Sequence, residues 1–286
     1  MRRGFREAMV GLLFILPSFA GCMIFVAIPF GAAVRRSLSN ALTGEWVGLT
    51  YYREIFENPS FLMALSNTGR FLALCVPLLI AIGLLLALML HGSVIGRDKL
   101  RAAFLLPMAI PVASVALLWQ ILWSKYGVIN GLTGMLGQIP IDWMKTDWAL
   151  FCLILSYIWK HAGYTMVLFL AGLSGINPAL YEAASVDGAG KWRSFLSITM
   201  PGLRPTMFTV AVLSLLNAFK AYREAYLVAG SYPQGSIYLM QHTLNNWFTK
   251  LEIEKLSAAA VTTALCICLL VMLLNRAWAS KAMWEG

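Results

Sequence analysis

Six apolar stretches, separated by polar intervals, set the pattern along the chain of 286 residues. A helix that crosses a membrane needs about 20 mostly apolar residues. The pattern therefore predicts an all-α polytopic membrane protein with six transmembrane helices. The predicted spans are Met9 to Val34, Gly69 to Leu90, Ala102 to Trp123, Trp148 to Leu170, Thr206 to Phe219 and Leu256 to Asn275.

Two of these spans carry irregular features. The third contains Pro107 and Pro111, each of which removes a backbone donor and predicts a kink. The fifth is short and leads into the polar string Lys220 to Glu224. This string favours either a helix that extends along a water-filled path or a broken helix.

The polar interval Gly172 to Pro205 follows the fourth span and is predicted to be well structured. Asn177 is a good helix cap, Pro178 fits the first helical turn, and Glu182 is placed to meet the positive end of the helix. Gly188 then ends this helix. The interval therefore begins with a short capped helix.

A second short helix is predicted after Gly190. It is amphipathic, runs from Lys191 to Thr199 and stops at Met200 and Pro201. Two short helices joined by a glycine hinge form a compact loop. The apolar side chains of Tyr181 and Trp192 and the carboxylates of Glu182 and Asp187 favour docking of a partner protein over a loop that lies flat on the bilayer.

Composition agrees with a membrane protein, since 59% of the residues are hydrophobic and only 12% are charged. A soluble domain carries about 25% charged residues. The net charge of +9 then reflects the Lys/Arg bias of cytoplasmic loops, not nucleic-acid binding. This bias predicts both termini in the cytoplasm and places the loop 172–205 there as well.

The predicted organisation has three parts. Residues 1–60 form an uncleaved N-terminal anchor helix and the first extracellular loop, since the apolar run is too long for a signal peptide. Residues 61–277 form the transmembrane core, and residues 278–286 form a cytoplasmic tail.

No catalytic centre, bound cofactor or metal site is predicted. Gly188, Gly190 and Lys191 resemble part of a phosphate-binding loop, but Trp192 stands where Ser or Thr must hold magnesium. The scattered histidines and cysteines lack metal-ligand spacing.

Polar side chains within two spans carry the most information about function. In the fourth span, Tyr157, Lys160, His161 and Tyr164 fall on one helical face. An ammonium that faces lipid costs about 2.5–3.5 kcal/mol, so this face should look onto a cavity or a partner helix.

The fifth span carries a matching stripe of Ser214, Asn217, Lys220 and Glu224. Two polar stripes on neighbouring helices indicate a translocation pathway. The alternative is that Lys160 pairs with Glu224 and only holds the helices together.

The loop also carries a family resemblance. Its sequence contains Glu182, Ala183 and Ala184, then Asp187, Gly188 and Ala189, then Phe195, Ile198, Pro201 and Pro205. This order resembles the EAA loop of binding-protein-dependent ABC importer permeases, with Met200 where Leu is usual. Segments along almost the whole chain resemble the carbohydrate-type permease (maltose- or glycerol-phosphate-like) that pairs with a second permease.

The resemblance implies an ABC type I importer permease fold with a cytoplasmic EAA coupling helix, in a bacterial cell membrane. It implies a second homologous permease, two ATPase subunits that bind the loops, and an extracellular solute-binding protein. ATP and Mg are then used by the partner ATPase, and this chain is not an enzyme.

The resemblance also assigns residues to two sites. The ATPase-coupling positions are Tyr181, Glu182, Ala183, Ala184, Asp187, Gly188 and Ala189. The substrate-pathway positions are Tyr157, Lys160, His161, Asn217 and Lys220.

Four cationic or ionisable side chains, Lys160, His161, Lys220 and Arg223, indicate an acidic oligosaccharide. A neutral oligosaccharide stacked on Tyr157 is the alternative. Three other functions stay open: a non-conducting scaffold or assembly subunit, an importer of a polyol phosphate, and a self-contained secondary transporter.

Overall fold

A computed structural model describes the backbone of residues 2–92 and 96–282 and the side chains of residues 9, 11–92 and 96–278. Regular structure in these ranges is helical, apart from one isolated bridge between Ser39 and Trp46. The α-helices are α1 (Arg2–Cys22), α2 (Ile28–Leu38), α3 (Thr50–Glu57), α4 (Pro59–His91), α5 (Arg97–Ala109), α6 (Val112–Trp123), α7 (Val128–Gly134), α8 (Ala149–Ser174), α9 (Pro178–Val186), α10 (Lys191–Ser194), α11 (Met200–Gly202), α12 (Arg204–Ala218), α13 (Tyr222–Ala229), α14 (Met240–Thr249) and α15 (Ile253–Ala282).

Within the described ranges, five helical segments are long and apolar enough to cross a membrane. They are Gly11–Leu38, Pro59–His91, Val112–Gly134, Ala149–Ser174 and Ile253–Trp278. A helix pair bent by 63°, Lys191–Gly202 with Arg204–Ala229, brings the number to six. The predicted first, second, fourth and sixth spans are confirmed as helices close to their expected positions.

The third predicted span is wrong as a single helix. The structure ends α5 at Ala109 and begins α6 at Val112, and both Ile110 and Pro111 have extended backbone between them. Pro111 explains the break, because proline disfavours helical geometry in the residue before it and donates no hydrogen bond. Pro107 stays inside α5.

The fifth predicted span is longer than its apolar part. Helix α12 passes through a tight 3₁₀ turn, Phe219–Ala221, directly into α13. The polar string from Lys220 to Glu224 is therefore helical, and the helix is extended past its apolar part. The sharp bend of this region lies earlier, at Leu203 between α11 and α12.

Contacts divide the chain into two compact units. The first comprises the chain up to Phe61 together with Leu244–Cys266, and Phe61 stacks there on Trp247 with ring centroids 5.9 Å apart. The second comprises Leu62–Thr243 and the chain from Ile267 onwards.

Helix α8 is the central helix of the second unit. In its most apolar stretch 67% of the residues are buried, against 33% or less in the other spans. Gly163 allows α5 to pack closely, because a Cβ atom at this position would overlap the carbonyl group of Phe104. On the polar face of α8, Tyr157 and Lys160 are buried, while His161 and Tyr164 are partly exposed.

The ends of the chain are described only in part. Helix α15 extends to Ala282, so the predicted tail 278–286 begins as helix, and its residues 283–286 lie outside the described residues. The side chains of Arg2, Arg3 and Arg6, which contribute to the Lys/Arg bias of the predicted cytoplasmic segments, also lie outside the described side chains.

Candidate functional site

Lys160 on α8 and Glu224 on α13 form a buried ion pair. The Lys160 Nζ atom donates to Glu224 Oε1 at 2.8 Å, and the two side chains are only 7% and 8% exposed. The pairing that the sequence offered as an alternative is therefore present. Each buried charge is stabilised mainly by the other, because neither is solvated by water. Removal of either partner would therefore leave an uncompensated buried charge.

The α8 residues beside this pair form a small aromatic cluster. The ring of His161 lies 4.2 Å from that of Tyr157, and Tyr157 meets the edge of Phe71 at 5.6 Å between centroids. Tyr157 is 2% exposed, and its hydroxyl has no hydrogen-bond partner among the described residues. A buried hydroxyl of this kind is a site where water or a ligand group would be stabilised.

The remaining predicted pathway residues lie one turn apart on a single helical run. Lys220 Nζ donates to Asn217 Oδ1 at 3.0 Å, and Lys220 is exposed while Asn217 is partly exposed. The structure thus separates the predicted set: Tyr157 and Lys160 are enclosed, and His161, Asn217 and Lys220 are accessible to different extents. Contact of these residues with solute stays a prediction.

The start of the loop 172–205 matches the sequence prediction. The Asn177 side chain accepts a hydrogen bond from the backbone N–H of Ala179 at 3.0 Å, and Pro178 occupies the first turn of α9. The predicted charge role of Glu182 is wrong, because Glu182 is the fifth residue of α9 and its first turn holds no acidic residue. The favourable effect of a helix end is confined to the first turn.

Helix α9 ends in a glycine turn that accounts for Gly188. Gly188 has a φ angle of +73°, a region that side chains with a Cβ atom rarely adopt. The Ala189 N–H donates to the Ala184 carbonyl at 2.8 Å, and the Gly188 N–H donates to the Ser185 carbonyl at 3.1 Å. These two bonds form a Schellman motif, which fixes where the chain turns.

One side-chain contact joins the two halves of the loop. The Tyr181 and Thr199 hydroxyls are 2.9 Å apart, which ties α9 to the second helical piece. That piece does not stop at Met200 and Pro201 as predicted but continues to Gly202. A wide π-helical turn, Phe195–Thr199, precedes Pro201 and accommodates its ring.

The outer face of the loop is open. Glu182, Ala183, Asp187 and Gly188 are exposed, Ala184 and Ala189 are partly buried, and Trp192 is 72% exposed. No group of His, Cys, Asp or Glu side chains able to hold a metal ion occurs within residues 2–92 and 96–282. The loop therefore presents an exposed surface that mixes polar and apolar side chains.

Helices long and apolar enough to cross a membrane, with a capped loop after α8, are features of a multi-span membrane protein. Residues 79–283 match the family of binding-protein-dependent transport system inner membrane components, and the chain belongs to this family.

Relatives and a solved structure agree with this assignment. The chain is 32% identical to the trehalose/maltose transport system permease protein MalF of Thermococcus litoralis, over 81% of each chain. It is 29% identical to the sulfoquinovosyl glycerol transport system permease protein SmoG of Agrobacterium fabrum, over 84% of this chain and 82% of that one. It shares the fold of a bacterial ABC transporter involved in the import of the acidic polysaccharide alginate, with a TM-score of 0.82, 24% identity and coverage of 97% and 98% of the two chains.

Proposed function

We propose that the chain is one of two permease subunits of an ATP-driven importer for a sugar or oligosaccharide. The family is binding-protein-dependent, and its relatives named above are permeases for trehalose or maltose and for sulfoquinovosyl glycerol. In this proposal a solute-binding protein delivers the solute from outside, and a second, related permease completes the pathway. Both termini and the loop 172–205 face the cytoplasm, in a bacterial cell membrane.

The loop receives motion from the ATPase subunits. Its outer face, centred on Glu182 and Asp187, is exposed, while the Schellman turn and the contact between Tyr181 and Thr199 keep its two helices together. A rigid loop transmits a displacement to the helix bundle as a whole. ATP and Mg are bound by the partner ATPase, and hydrolysis takes place there.

In this proposal, polar residues of α8, α12 and α13 line the pathway of the solute. Since Glu224 compensates the charge of Lys160, Lys220 and Arg223 are the exposed cations among the side chains that indicated an acidic solute, and Lys220 is the one in the predicted pathway set. A solute carboxylate would therefore meet Lys220 before Lys160. A neutral oligosaccharide would instead use Asn217 and the face of His161.

A selectivity experiment tests this proposal. The chain is reconstituted in liposomes with its partner permease, ATPase subunits and binding protein, and the uptake of maltotetraose and tetramannuronate is measured. Replacement of Lys220 by Gln is expected to lower tetramannuronate uptake more than maltotetraose uptake if the solute is acidic, and to leave the acidic-to-neutral ratio unchanged if the solute is neutral.

Lys250→Gln is the matched control, since Lys250 is an exposed lysine at the end of α14. A non-conducting scaffold predicts a different result. Apolar replacements of both Asn217 and Lys220 would then leave uptake intact, and that outcome would remove this chain from the pathway.

A further inference from the structure

A cavity of about 530 Å³ lies at the end of the second unit away from the coupling loop. It is bounded by the last turn of α6, by the segment that precedes α8, and by the segment that follows α13. Helix α8 begins just after this cavity and ends beside the coupling loop, about 39 Å away for its 26 residues. The cavity is large enough for a small ligand.

The cavity combines an apolar floor with a polar rim. Met144 is 9% exposed and forms part of the floor, while Tyr232 is 67% exposed at the rim. Asp142 and Lys145 line it as an ion pair with 3.2 Å between Oδ2 and Nζ. An exposed aromatic ring that lines the same cavity as a carboxylate and an ammonium group suits a ligand that has both C–H faces and many hydroxyls.

The walls of the cavity are held in place by side-chain amides. Gln120 Nε2 donates to the carbonyls of Leu227 at 3.4 Å and Val228 at 3.2 Å, which ties α6 to the end of α13. Gln234 Nε2 donates to Asp147 Oδ1 at 3.1 Å, which ties the segment after α13 to the start of α8. These bonds join the three wall segments directly, so the cavity is preformed.

A buried asparagine fixes the second wall. Asn130 is 4% exposed, and its Nδ2 atom donates to the carbonyls of Ser124 at 2.8 Å and Ile141 at 2.6 Å. Its Oδ1 atom accepts from Ile141 N–H and from Trp143 Nε1, both at 3.2 Å. Asn130 therefore sets the spacing between the end of α6 and the residues around Asp142. Preorganisation of this kind lowers the free-energy cost of binding.

We propose that this cavity is an outer saccharide subsite, which holds one end of an oligosaccharide while the other end reaches toward Lys220. The proposal rests on the function proposed above. Val228 on the cavity wall lies eight residues beyond Lys220 on one continuous helical run, about 12 Å along its axis. A longer oligosaccharide engages both places, whereas a disaccharide engages one.

Uptake as a function of chain length tests the subsite. The assembled transporter, with saturating binding protein, is supplied with maltose and maltotetraose, and in parallel with dimannuronate and tetramannuronate. Tyr232→Ala is expected to lower the ratio of tetrasaccharide to disaccharide uptake about two- to tenfold, since a stacking contact is lost. Asp142→Asn is expected to lower the ratio of maltotetraose to maltose uptake, since an amide oxygen accepts hydrogen bonds from saccharide hydroxyls less strongly than a carboxylate does.

Tyr126→Ala is the matched control, because Tyr126 is 93% exposed in the same region and does not line the cavity. If wild-type transporter takes up a tetrasaccharide and all three variants keep its length ratio, the subsite is wrong and the proposed function stands. If the wild-type transporter takes up none of the four saccharides, the proposed function fails and the subsite fails with it.

A labelling measurement detects occupancy of the cavity directly, so the test does not depend on variants whose uptake falls only because they fold poorly. Ser124→Cys places a thiol on the cavity wall, and its reaction with a membrane-impermeant methanethiosulfonate is followed in the assembled transporter. The parent protein gives the background from its native cysteines. The transported tetrasaccharide, maltotetraose or tetramannuronate, is expected to slow labelling several-fold. An unchanged labelling rate with that tetrasaccharide overturns the subsite.

Discussion

The Lys160 ammonium and the Glu224 carboxylate meet at 2.8 Å between α8 and α13, both shielded from solvent. This pair joins the central helix of the second unit to the polar extension of the fifth span. It also changes the meaning of Lys160, whose charge is neutralised within the chain. Lys160, predicted as a pathway residue, therefore has at least a structural role, because it holds α8 and α13 together.

Lys160→Gln is expected to destabilise the protein by about 3–5 kcal/mol, because Glu224 would remain buried without its partner. The double variant Lys160→Gln with Glu224→Gln should recover most of this loss, because no buried charge is left. Thermal unfolding in detergent measures both effects.

Arg53→Gln is the control for that series. Arg53 and Glu57 form an ion pair of similar length, 2.7 Å, but the two side chains are 84% and 64% exposed. An exposed pair contributes little to stability, because water and salt screen its charges. Equal losses from Lys160→Gln and Arg53→Gln would contradict the role given to the buried pair.

Gly188→Ala is expected to reduce coupled transport while the protein still inserts into the membrane. The positive φ angle of Gly188 disfavours any residue with a Cβ atom by about 1–2 kcal/mol, although open space surrounds the position. The strain should distort the turn after α9, and the readout is the amount of solute moved per ATP hydrolysed.

Gly190→Ala provides the comparison for the turn. Gly190 also has open space around it, but its φ angle is −68°, which alanine adopts without strain. Normal coupling is expected for this variant. Normal coupling in Gly188→Ala as well would mean that the glycine turn is not needed to transmit motion.

Gly163→Ala is expected to destabilise the packing of α5 on α8 by about 1–3 kcal/mol, since a methyl group would overlap the carbonyl of Phe104. Gly131→Ala is the control, because nothing lies within 4 Å of a Cβ atom at that helical position. Unfolding midpoints in detergent should fall only for Gly163→Ala. A similar midpoint for both variants would rule out close packing as the reason for Gly163.

His242 should make stability depend on pH. Its ring is fully buried, Nδ1 accepts from the Leu239 N–H at 3.0 Å, and burial lowers the pKa of His242 from 6.5 to about 4. The unfolded chain therefore binds more protons than the folded one between these values. Stability is retained above pH 6.5 and falls toward pH 4, by about 3 kcal/mol from this group.

His242→Gln isolates this contribution from that of other groups. The difference in unfolding midpoint between pH 7 and pH 4.5, measured in detergent, should be smaller for the variant than for the parent protein. Identical pH dependence of the two proteins would show that His242 stays neutral in the unfolded chain or is charged in the folded one.

The helical pattern was sufficient to predict most of the fold, because long apolar segments have few alternatives in a membrane. A kink was predicted at Pro107 and Pro111, but the full break before Pro111 and the continuation through Pro201 were not, because both depend on local backbone geometry and not on hydrophobicity. The turns of the loop 172–205 could be predicted from Asn177 and Gly188, since helix caps and glycine turns are local signals.

The candidate sites were less accessible to sequence reasoning. The pairing of Lys160 with Glu224 was one of two interpretations, the other being that Lys160 lines a pathway. Helical phase shows which face of a helix a residue occupies but not which residue lies opposite it. The outer cavity joins Gln120, Asp142 and Tyr232 from three separate segments. The role of Asn130 was hidden for the same reason, since its partners belong to turns whose geometry the sequence does not determine.

The proposal that the chain is one subunit of an ATP-driven importer is tested most directly by comparing ATP-dependent solute uptake by the complete transporter with uptake by this chain alone. Liposomes receive either the chain with its partner permease, ATPase subunits and binding protein, or the chain by itself, and maltotetraose and tetramannuronate are supplied to both. Uptake of at least one of these saccharides is expected only for the complete transporter and only with ATP. Uptake by the chain alone would contradict the proposal.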